Sequence, residues 1–566
     1  MTTELTRQLA ELNPAERRAL LARLRDRRQG PPADDRPAPL TRRADTGPVP
    51  LSSAQERLWL LDRLDPGDPT YNIAFGVRIT GPLDSHRLRD AIATVVHRHN
   101  ALRTRFVVTD GHVAQEVLPD RPIALPIGDL PAVADAAAEH AAIRFDLTEG
   151  RPFALRLLVL GPTEHVLLVV VHHIVFDGWS TALFVDELVA AYQETDLPDL
   201  PVAFTDWAAW ENAQSASPRL AGQLAYWTDR LAGAPVLSAV PPDRPRPDVP
   251  AHRGGHLPVR LDNRLTYAVS TMAKAAGATL NAVLLAGFAA VLYRLTGETD
   301  IVLGVPVAGR KHTAVEPLIG NFANTFVLRV DLSGDPTPTE LVRRTHQALR
   351  DAFAHQDVPY ATVVERVAPP RTRGHNPLFQ VMLSIADIPQ QPRVAGATTF
   401  TLEEIHSGRT DFDLFLAMSR VDGEIRGQLG YDADLYLSDT VERTLGALTD
   451  VLAEFAAVPH KAISSHRSVV TVAATFTADP VRAPLEFWQR FLGAPVEVRI
   501  APYGQVVQTL LGAPPDAELF VLVRWEDWLP GRVRMREPDP AGAAGVLESA
   551  LEDLVAAVTD LRARSA

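Results

Sequence analysis

Six consecutive residues, Val166 to Val171, are all valine or leucine, and they lead without a break into His172-His173-Ile174-Val175-Phe176-Asp177-Gly178. A short run of β-branched and leucine side chains reads as a strand buried within a sheet. It delivers two histidines at its end, then a turn containing Asp177-Gly178, and a helix is expected to begin near Ser180. Side chains alternate between the two faces of a strand, so His172 and His173 cannot easily share one site. One is expected to face a cavity while the other packs. A helix that starts just after Gly178 presents unpaired backbone N–H groups, suited to an anion or a developing oxyanion.

Similar patterns place this strand in a long α/β region, residues 51–459. Strand-like runs are expected at 73–79, 153–160, 301–305, 326–330 and 379–385, and helices at 83–99, 181–192, 280–295 and 338–354. The Pro/Arg-rich stretch 241–250 is the expected crossing between two lobes, 51–240 and 241–460. Ahead of them, Leu5, Leu9 and Leu12 keep helical spacing, and Asn13-Pro14-Ala15-Glu16 is a fresh helix start with a cap and a first-turn proline. Residues 1–28 thus form a helical element that either docks another chain or folds onto the body. Residues 29–50, rich in Pro, Asp and Arg, read as an extended linker. After the α/β region, strand-like 469–475, 496–500 and 519–524 alternate with helical 485–492 and 546–561. This predicts a small parallel-sheet α/β unit over 467–566.

Bulk properties exclude several functions. A formal charge of −13 argues against nucleic acid as the main partner. The absence of cysteine removes disulfides, thiolate metal sites and cysteine nucleophiles, and it is consistent with a cytoplasmic protein. The longest strongly apolar stretch, Ala282 to Tyr293, is too short to cross a bilayer and reads as a buried helix, so no membrane partner is expected. No secretory signal is read at the amino terminus, where Glu4 and Arg7 stand and an apolar segment is missing. Basic charge is nearly all arginine, the lysines being Lys274, Lys311 and Lys461. No HExxH, GxSxG, GxGxxG or Walker A pattern is present, so zinc protease, serine hydrolase, dinucleotide and P-loop readings lack support. Adjacent strand histidines diverge, and no metal site is expected.

His172-His173-x-x-x-Asp177-Gly178 resembles the HHxxxDG motif of nonribosomal peptide synthetase condensation domains. Six further segments, in family order, carry the same resemblance. Ser53-Ala54-Gln55-Glu56-Arg57-Leu58-Trp59-Leu60 resembles the opening motif. Arg98-His99-Asn100-Ala101-Leu102-Arg103-Thr104-Arg105-Phe106 resembles RHExLRTxF, and Phe204-Thr205-Asp206-Trp207-Ala208-Ala209-Trp210 resembles YxDFAVW. Ile319-Gly320-Asn321-Phe322-Ala323-Asn324-Thr325, closing with Arg329, resembles IGxFVNTxxxR. His355-Gln356-Asp357-Val358-Pro359-Tyr360 and Asn376-Pro377-Leu378-Phe379-Gln380 follow. Asn100 and Ala361 stand where the family has Glu, and His375 where it has Arg, so local salt bridges at 100 and 361 are not expected to form.

The resemblance implies two chloramphenicol-acetyltransferase-like lobes in a V-shaped pseudo-dimer, with the active site in a tunnel between them. It implies that donor and acceptor carrier proteins enter from opposite sides, each bringing its substrate on phosphopantetheine, and that the domain itself binds no cofactor. By analogy His173 is catalytic, orienting the attacking amine, and the Gly178 N–H forms part of the oxyanion site. Asp177 is expected to pair with Arg329, with Arg103 and His172 supporting the same structure. Trp179, Ser180 and Asn324 are candidates for the acceptor side of the tunnel. Trp59, Trp207, Trp210 and Trp227 read as packing residues.

The tail is similar to the N-terminal part of FkbH-like proteins at Ala473-Ala474-Thr475-Phe476-Thr477-Ala478, Phe487-Trp488 and Val496-Glu497-Val498-Arg499-Ile500-Ala501-Pro502-Tyr503. It ends before any catalytic motif of that family, and the tail is expected to be a non-catalytic remnant, a linker or a docking unit towards other synthetase modules. Two other functions compete with amide formation between carriers: a free-standing acyltransferase using a soluble amine or alcohol, and a non-catalytic carrier-recruitment domain.

Overall fold

The Val166–Val171 run lies inside a nine-residue strand, Glu164–His172, flanked on both sides by antiparallel partners, Asn72–Thr80 and Phe153–Gly161. Leu167, Val169 and Val171 face the main core of the first lobe, and Val166 and Leu168 face a second cluster with Ala136 and Ala137 of the Val133–Ala141 helix. Both faces of the strand are therefore covered, as the unbroken apolar run requires. The computed structural model describes residues 38–463 apart from 46, 110, 130–132, 371–373 and 386–390, and beyond them 468–475, 480, 484, 496–502, 505–512, 518–524 and 540–565.

Two six-stranded mixed sheets organise the body. The first runs, in spatial order, Arg393–Ala395, Thr398–Glu404, Asn72–Thr80, Glu164–His172, Phe153–Gly161, Ile127–Asp129. The second runs Asn324–Asp331, Asp300–Val307, Val381–Ile385, Leu414–Val421, Glu424–Asp432, Gly254–Leu261. Each builds its own large apolar core with its helices. In the second lobe the Leu280–Thr296 helix is buried from Ala282 to Tyr293, so the longest apolar stretch is a core helix, started by the Thr279 side chain and ended at Gly297. Among the described residues, no single helix is long and apolar enough to cross a membrane. The Pro338–Ala354 helix keeps its expected bounds because Thr337 caps it and Pro338 opens its first turn.

The lobes are not the consecutive stretches 51–240 and 241–460. Phe204 and Trp207, on the Phe204–Gln214 helix, belong to the first core, whereas Trp227 and Leu231, on the next helix Pro218–Leu231, belong to the second. The chain therefore crosses between these helices, ahead of 241–250. It then returns twice, with Val315 to Phe322 entering the first core and Thr398–Glu404 pairing with Asn72–Thr80 of the first sheet. Alternation in a strand specifies which face is buried, not which lobe supplies the partner.

The described part of the expected linker is fastened to the body. Arg43 donates its backbone N–H to Asp206 (3.0 Å), Trp210 donates its indole N–H to the Ala38 carbonyl (2.5 Å), and Val49–Pro50 pairs with His112–Val117. The N-terminal helical element lies outside the described residues, as does the expected helix 485–492. In the tail, strands Val496–Ile500, Ser468–Ala474 and Glu518–Leu522 form a parallel sheet in that order. Helices Val506–Gly512 and Pro540–Ser565 pack on it through Ala473, Val506, Leu510 and Ala557.

Candidate active site

The buried strand ends at His172, and His173 opens a single 3₁₀ turn, His173–Val175. This bend separates the two imidazoles. His172 is buried, its Nδ1 accepts the Ile174 backbone N–H at 3.1 Å, and its ring meets Phe145 edge-on. Burial, with the neighbouring His173, draws its pKa down to about 3, so it is a neutral packing residue. His173 lines a cavity of about 1530 Å³ between the lobes. Its Nδ1 lies 2.6 Å from the Phe176 carbonyl, which fixes the proton on Nδ1 and leaves Nε2 as an acceptor. Burial lowers its basicity, and the Arg57 charge adds to that; the Phe176 carbonyl and Asp177 oppose it.

Asp177 caps the helix Gly178–Tyr192, which starts two residues earlier than expected. Its Oδ1 accepts the Ser180 backbone N–H (2.9 Å) and lies 2.7 Å from the Ser180 hydroxyl, while Oδ2 accepts the Phe322 N–H (3.1 Å). Its cationic partner is Arg310, not Arg329. Arg310 Nη2 reaches both carboxylate oxygens, and Nη1 donates to the carbonyls of Val315 (2.7 Å) and Leu318 (2.6 Å). Arg329 instead holds Asp300 on the adjacent strand, with Nη2 at 2.7 Å. Both positions lie on paired strands of the second lobe, so this contact is local. Arg103 is also outside the network; it donates to the carbonyls of Val96 and His97 at the end of the Ser85–Arg98 helix and to that of Leu118, just after the strand His112–Val117.

Other motif residues converge on the same lock. His99 Nε2 lies 2.7 Å from Glu187, and its Nδ1 accepts the Ile319 N–H at 3.1 Å. The Ser180 hydroxyl accepts the Gly320 N–H at 3.2 Å and is fully buried, so Ser180 holds the lobes together and does not line the cavity. Trp179 does not line it either; its ring is half exposed and its indole N–H goes to the Glu316 carbonyl (3.2 Å). Asn324 lines the cavity, but its carboxamide is used on the carbonyls of Gln356 and Val358 and on the Tyr360 N–H. At the Glu-to-Asn position, the Asn100 amide donates to the Thr205 hydroxyl at 2.8 Å. Trp59, Trp207 and Trp227 are buried, while Trp210 is partly open and lines the cavity, as Trp207 does at one edge.

Gly178 opens the helix beside His173 on the cavity wall, and a Cβ built there meets nothing within 4 Å. The protein's own packing therefore does not demand glycine, and the free volume belongs to the cavity. Sequence reasoning missed a polar cluster in the same wall. Arg57, on the capping-box helix Ser53–Leu64, places Nη2 3.5 Å from Asp411, whose other oxygen accepts the Tyr71 hydroxyl at 2.9 Å. The Arg57 guanidinium also lies 6.0 Å from the Tyr360 ring. Arg57 stands within the opening motif, but nothing local marks Asp411, which is 354 residues away. Burial raises the Asp411 carboxyl, and Arg57 and the Tyr71 bond oppose it. Among the described residues, no group of three or more His, Asp or Glu could hold a metal.

The family model described as Condensation domain matches residues 46–474. Phosphinothricin tripeptide synthetase PhsB of Streptomyces viridochromogenes is 41% identical over 437 residues, covering 74% of this chain and 37% of that protein. The chain thus spans little more than a third of the length of this curated relative. Among solved structures, the X-domain from teicoplanin biosynthesis is 31% identical with a TM-score of 0.69, covering 75% of this chain and 99% of that one. SgcC5 from Streptomyces globisporus, in complex with (R)-(-)-1-(2-naphthyl)-1,2-ethanediol and sucrose, is 26% identical with a TM-score of 0.62, covering 73% and 100%. Two lobes of like architecture enclose a histidine-bearing turn, and the family match takes in both. The chain belongs to the condensation-domain family of nonribosomal peptide synthetases, acyltransferases that form amide bonds.

Proposed function

We propose that this domain joins a donor acyl or peptidyl thioester to the amine of an acceptor aminoacyl thioester, both held on phosphopantetheine arms of partner carrier proteins. The observation that carries the reading is the fixed tautomer of His173: Nδ1 is committed to Phe176 and Nε2 is left to accept from within the cavity. An α-amine with a pKa of about 8 is roughly one-tenth neutral at pH 7, and collecting that fraction costs only about 1.4 kcal/mol. Deprotonation is therefore a small part of the barrier. His173 Nε2 accepts one N–H of the neutral amine and aims its lone pair at the donor carbonyl, and positioning does most of the work. As the C–N bond forms, negative charge develops on the carbonyl oxygen, and the Gly178 N–H at the helix start, on the cavity wall, is the donor assigned to it. The C–S bond then breaks, and the proton lost by nitrogen passes through His173 to the departing thiolate.

The same reading gives the N-terminal segment and residues 467–566 to contacts with neighbouring synthetase modules, and it keeps the domain in the cytoplasm. A second reading, transfer to a soluble alcohol or amine, is favoured by the diol found with the related SgcC5. The test is incubation of the full chain with separately loaded donor and acceptor carriers, alongside donor carrier plus an untethered alcohol or amine, followed by mass spectrometry. Tethered amide is expected, with H173A lowering turnover about 10²- to 10⁴-fold. Product only from the untethered acceptor would replace the first reading with the second, and near-wild-type turnover by H173A would overturn the role of His173.

A further inference from the structure

One carboxamide in the cavity wall is buried yet makes no hydrogen bond within the protein. Asn321 is 2% exposed and lines the same cavity as His173 and Gly178. Its Oδ1 is buried without a partner, and its Nδ2 donates to nothing among the described residues. Asn324, three residues on, is the contrast, because its carboxamide is used on Gln356, Val358 and Tyr360. A buried amide without partners destabilises a fold relative to an apolar side chain. The Asn321 carboxamide therefore makes no bond that the packed state requires, and its polarity is available to whatever enters the cavity.

The segment that carries it is held in place from both sides. Ile319 gives its backbone N–H to His99, Gly320 to Ser180 and Phe322 to Asp177, so first-lobe side chains grip the chain before and after Asn321. The Phe322 ring packs on Phe204 and Trp207, with centroids 5.0 Å and 4.7 Å away. Asp177 also brings Asn321 towards the turn bearing His173. It directly precedes Gly178, and its Oδ2 takes the N–H of the residue directly after Asn321. The Gly178 N–H and the Asn321 carboxamide thus stand one residue from either end of a single locked contact. Attack of the amine turns the thioester carbonyl oxygen into an oxyanion, and the charge returns to carbon as the C–S bond breaks and the thiolate leaves. A second N–H donor fixed before the reaction stabilises that oxygen without reorganising during it.

Resting on the acyl-transfer reading above, we propose that Asn321 Nδ2 is a second donor to the oxyanion, acting with the Gly178 N–H. The test measures kcat, KM and thermal melting for the full-length wild type, N321A and N324A, with loaded donor and acceptor carriers as substrates. N321A is expected to lower kcat about 10²-fold with KM little changed. It is also expected to melt at or above the wild-type temperature, since it removes a buried group that has no partner. N324A, which loses the clamp on its loop, is expected to melt lower. Wild-type kcat in N321A would overturn the assignment, and so would a clear fall in its melting temperature, which would make the carboxamide structural. A rise in KM with kcat kept would overturn it too, because the contact would then belong to bound substrate and not to the transition state. The oxyanion forms whichever acceptor attacks. If the wild type acylates only an untethered amine or alcohol, the carrier-to-carrier reading fails, and the N321A ratio on that product still decides the role of Asn321.

Discussion

Arg310 Nη2 lies 3.0 Å from one carboxylate oxygen of Asp177 and 3.1 Å from the other, and the two side chains are 2% and 3% exposed. The contact joins the N-cap of the active-site helix to a loop that follows a strand of the other lobe. A buried ion pair adds little against an apolar replacement of both partners, but loss of one partner strands the other charge. D177N and R310M are each expected to cost roughly 3–5 kcal/mol of unfolding free energy. Their combination should cost clearly less than the sum, as contacting residues are not additive. Urea denaturation of the two single variants and the double variant measures this, and strict additivity would show that the pair does not act as one unit.

The Asp177 partner also marks where sequence reading stopped. The buried strand, the diverging histidines and the helix after Gly178 were legible because each depends on local pattern. Arg329 was expected as the partner because it closes a motif, yet its strand position commits it to Asp300. Arg310 carried a weaker signal in the preceding glycine. Gly309 has φ +66, and a Cβ there would come within 1.9 Å of the Phe322 carbonyl. That close approach brings the 310 and 322 segments together beneath Asp177. The return of Thr398–Glu404 to the first sheet and the meeting of Arg57 with Asp411 depend on long-range pairing, which no local period encodes.

Arg57 is the one cation that lowers the basicity of the His173 imidazole, as a smaller contribution beside burial. Burial is the largest cause of the lowered His173 basicity, and the Arg57 cation works in the same direction. Removing that cation raises the affinity of His173 for a proton, so the acidic limb of the pH–rate profile is expected to move to higher pH in R57Q. R57K keeps the charge and should keep the limb near its wild-type position. A limb that stays fixed in R57Q while turnover merely falls would reduce Arg57 to a packing role.

His172 links stability to pH in a different way. Its pKa is about 3 in the folded protein, against 6.5 ordinarily. Above about pH 6.5 both folded and unfolded states carry it neutral, so its contribution is fully present. As pH falls from there towards 3, the unfolded chain takes up a proton that the folded chain refuses, and stability is lost at up to roughly 1.4 kcal/mol per pH unit. His140 and His165, also lowered by burial, act with the same sign. In H172N the amide oxygen can still accept the Ile174 N–H, but this position no longer titrates. The fall in melting temperature between pH 6.5 and 4 should therefore be shallower in H172N than in the wild type, and an equal slope would assign the acid sensitivity elsewhere.

Gly178 allows the demands of folding to be tested apart from the role proposed for its N–H. A Cβ at this position clashes with nothing in the protein, and alanine suits a first helical turn better than glycine does. G178A is therefore expected to melt at or slightly above the wild-type temperature. The added methyl meets open space at a residue that lines the same cavity as His173, and in the proposed mechanism the donor carbonyl approaches the helix N–H here. Displacing the reacting group by about 1 Å can cost on the order of 10²-fold in rate. The expected result is a large fall in kcat with melting preserved, read from single-turnover amide formation and a thermal scan on the same preparation. Full activity in G178A would show that no reacting group passes close to this residue, and the oxyanion would need another donor.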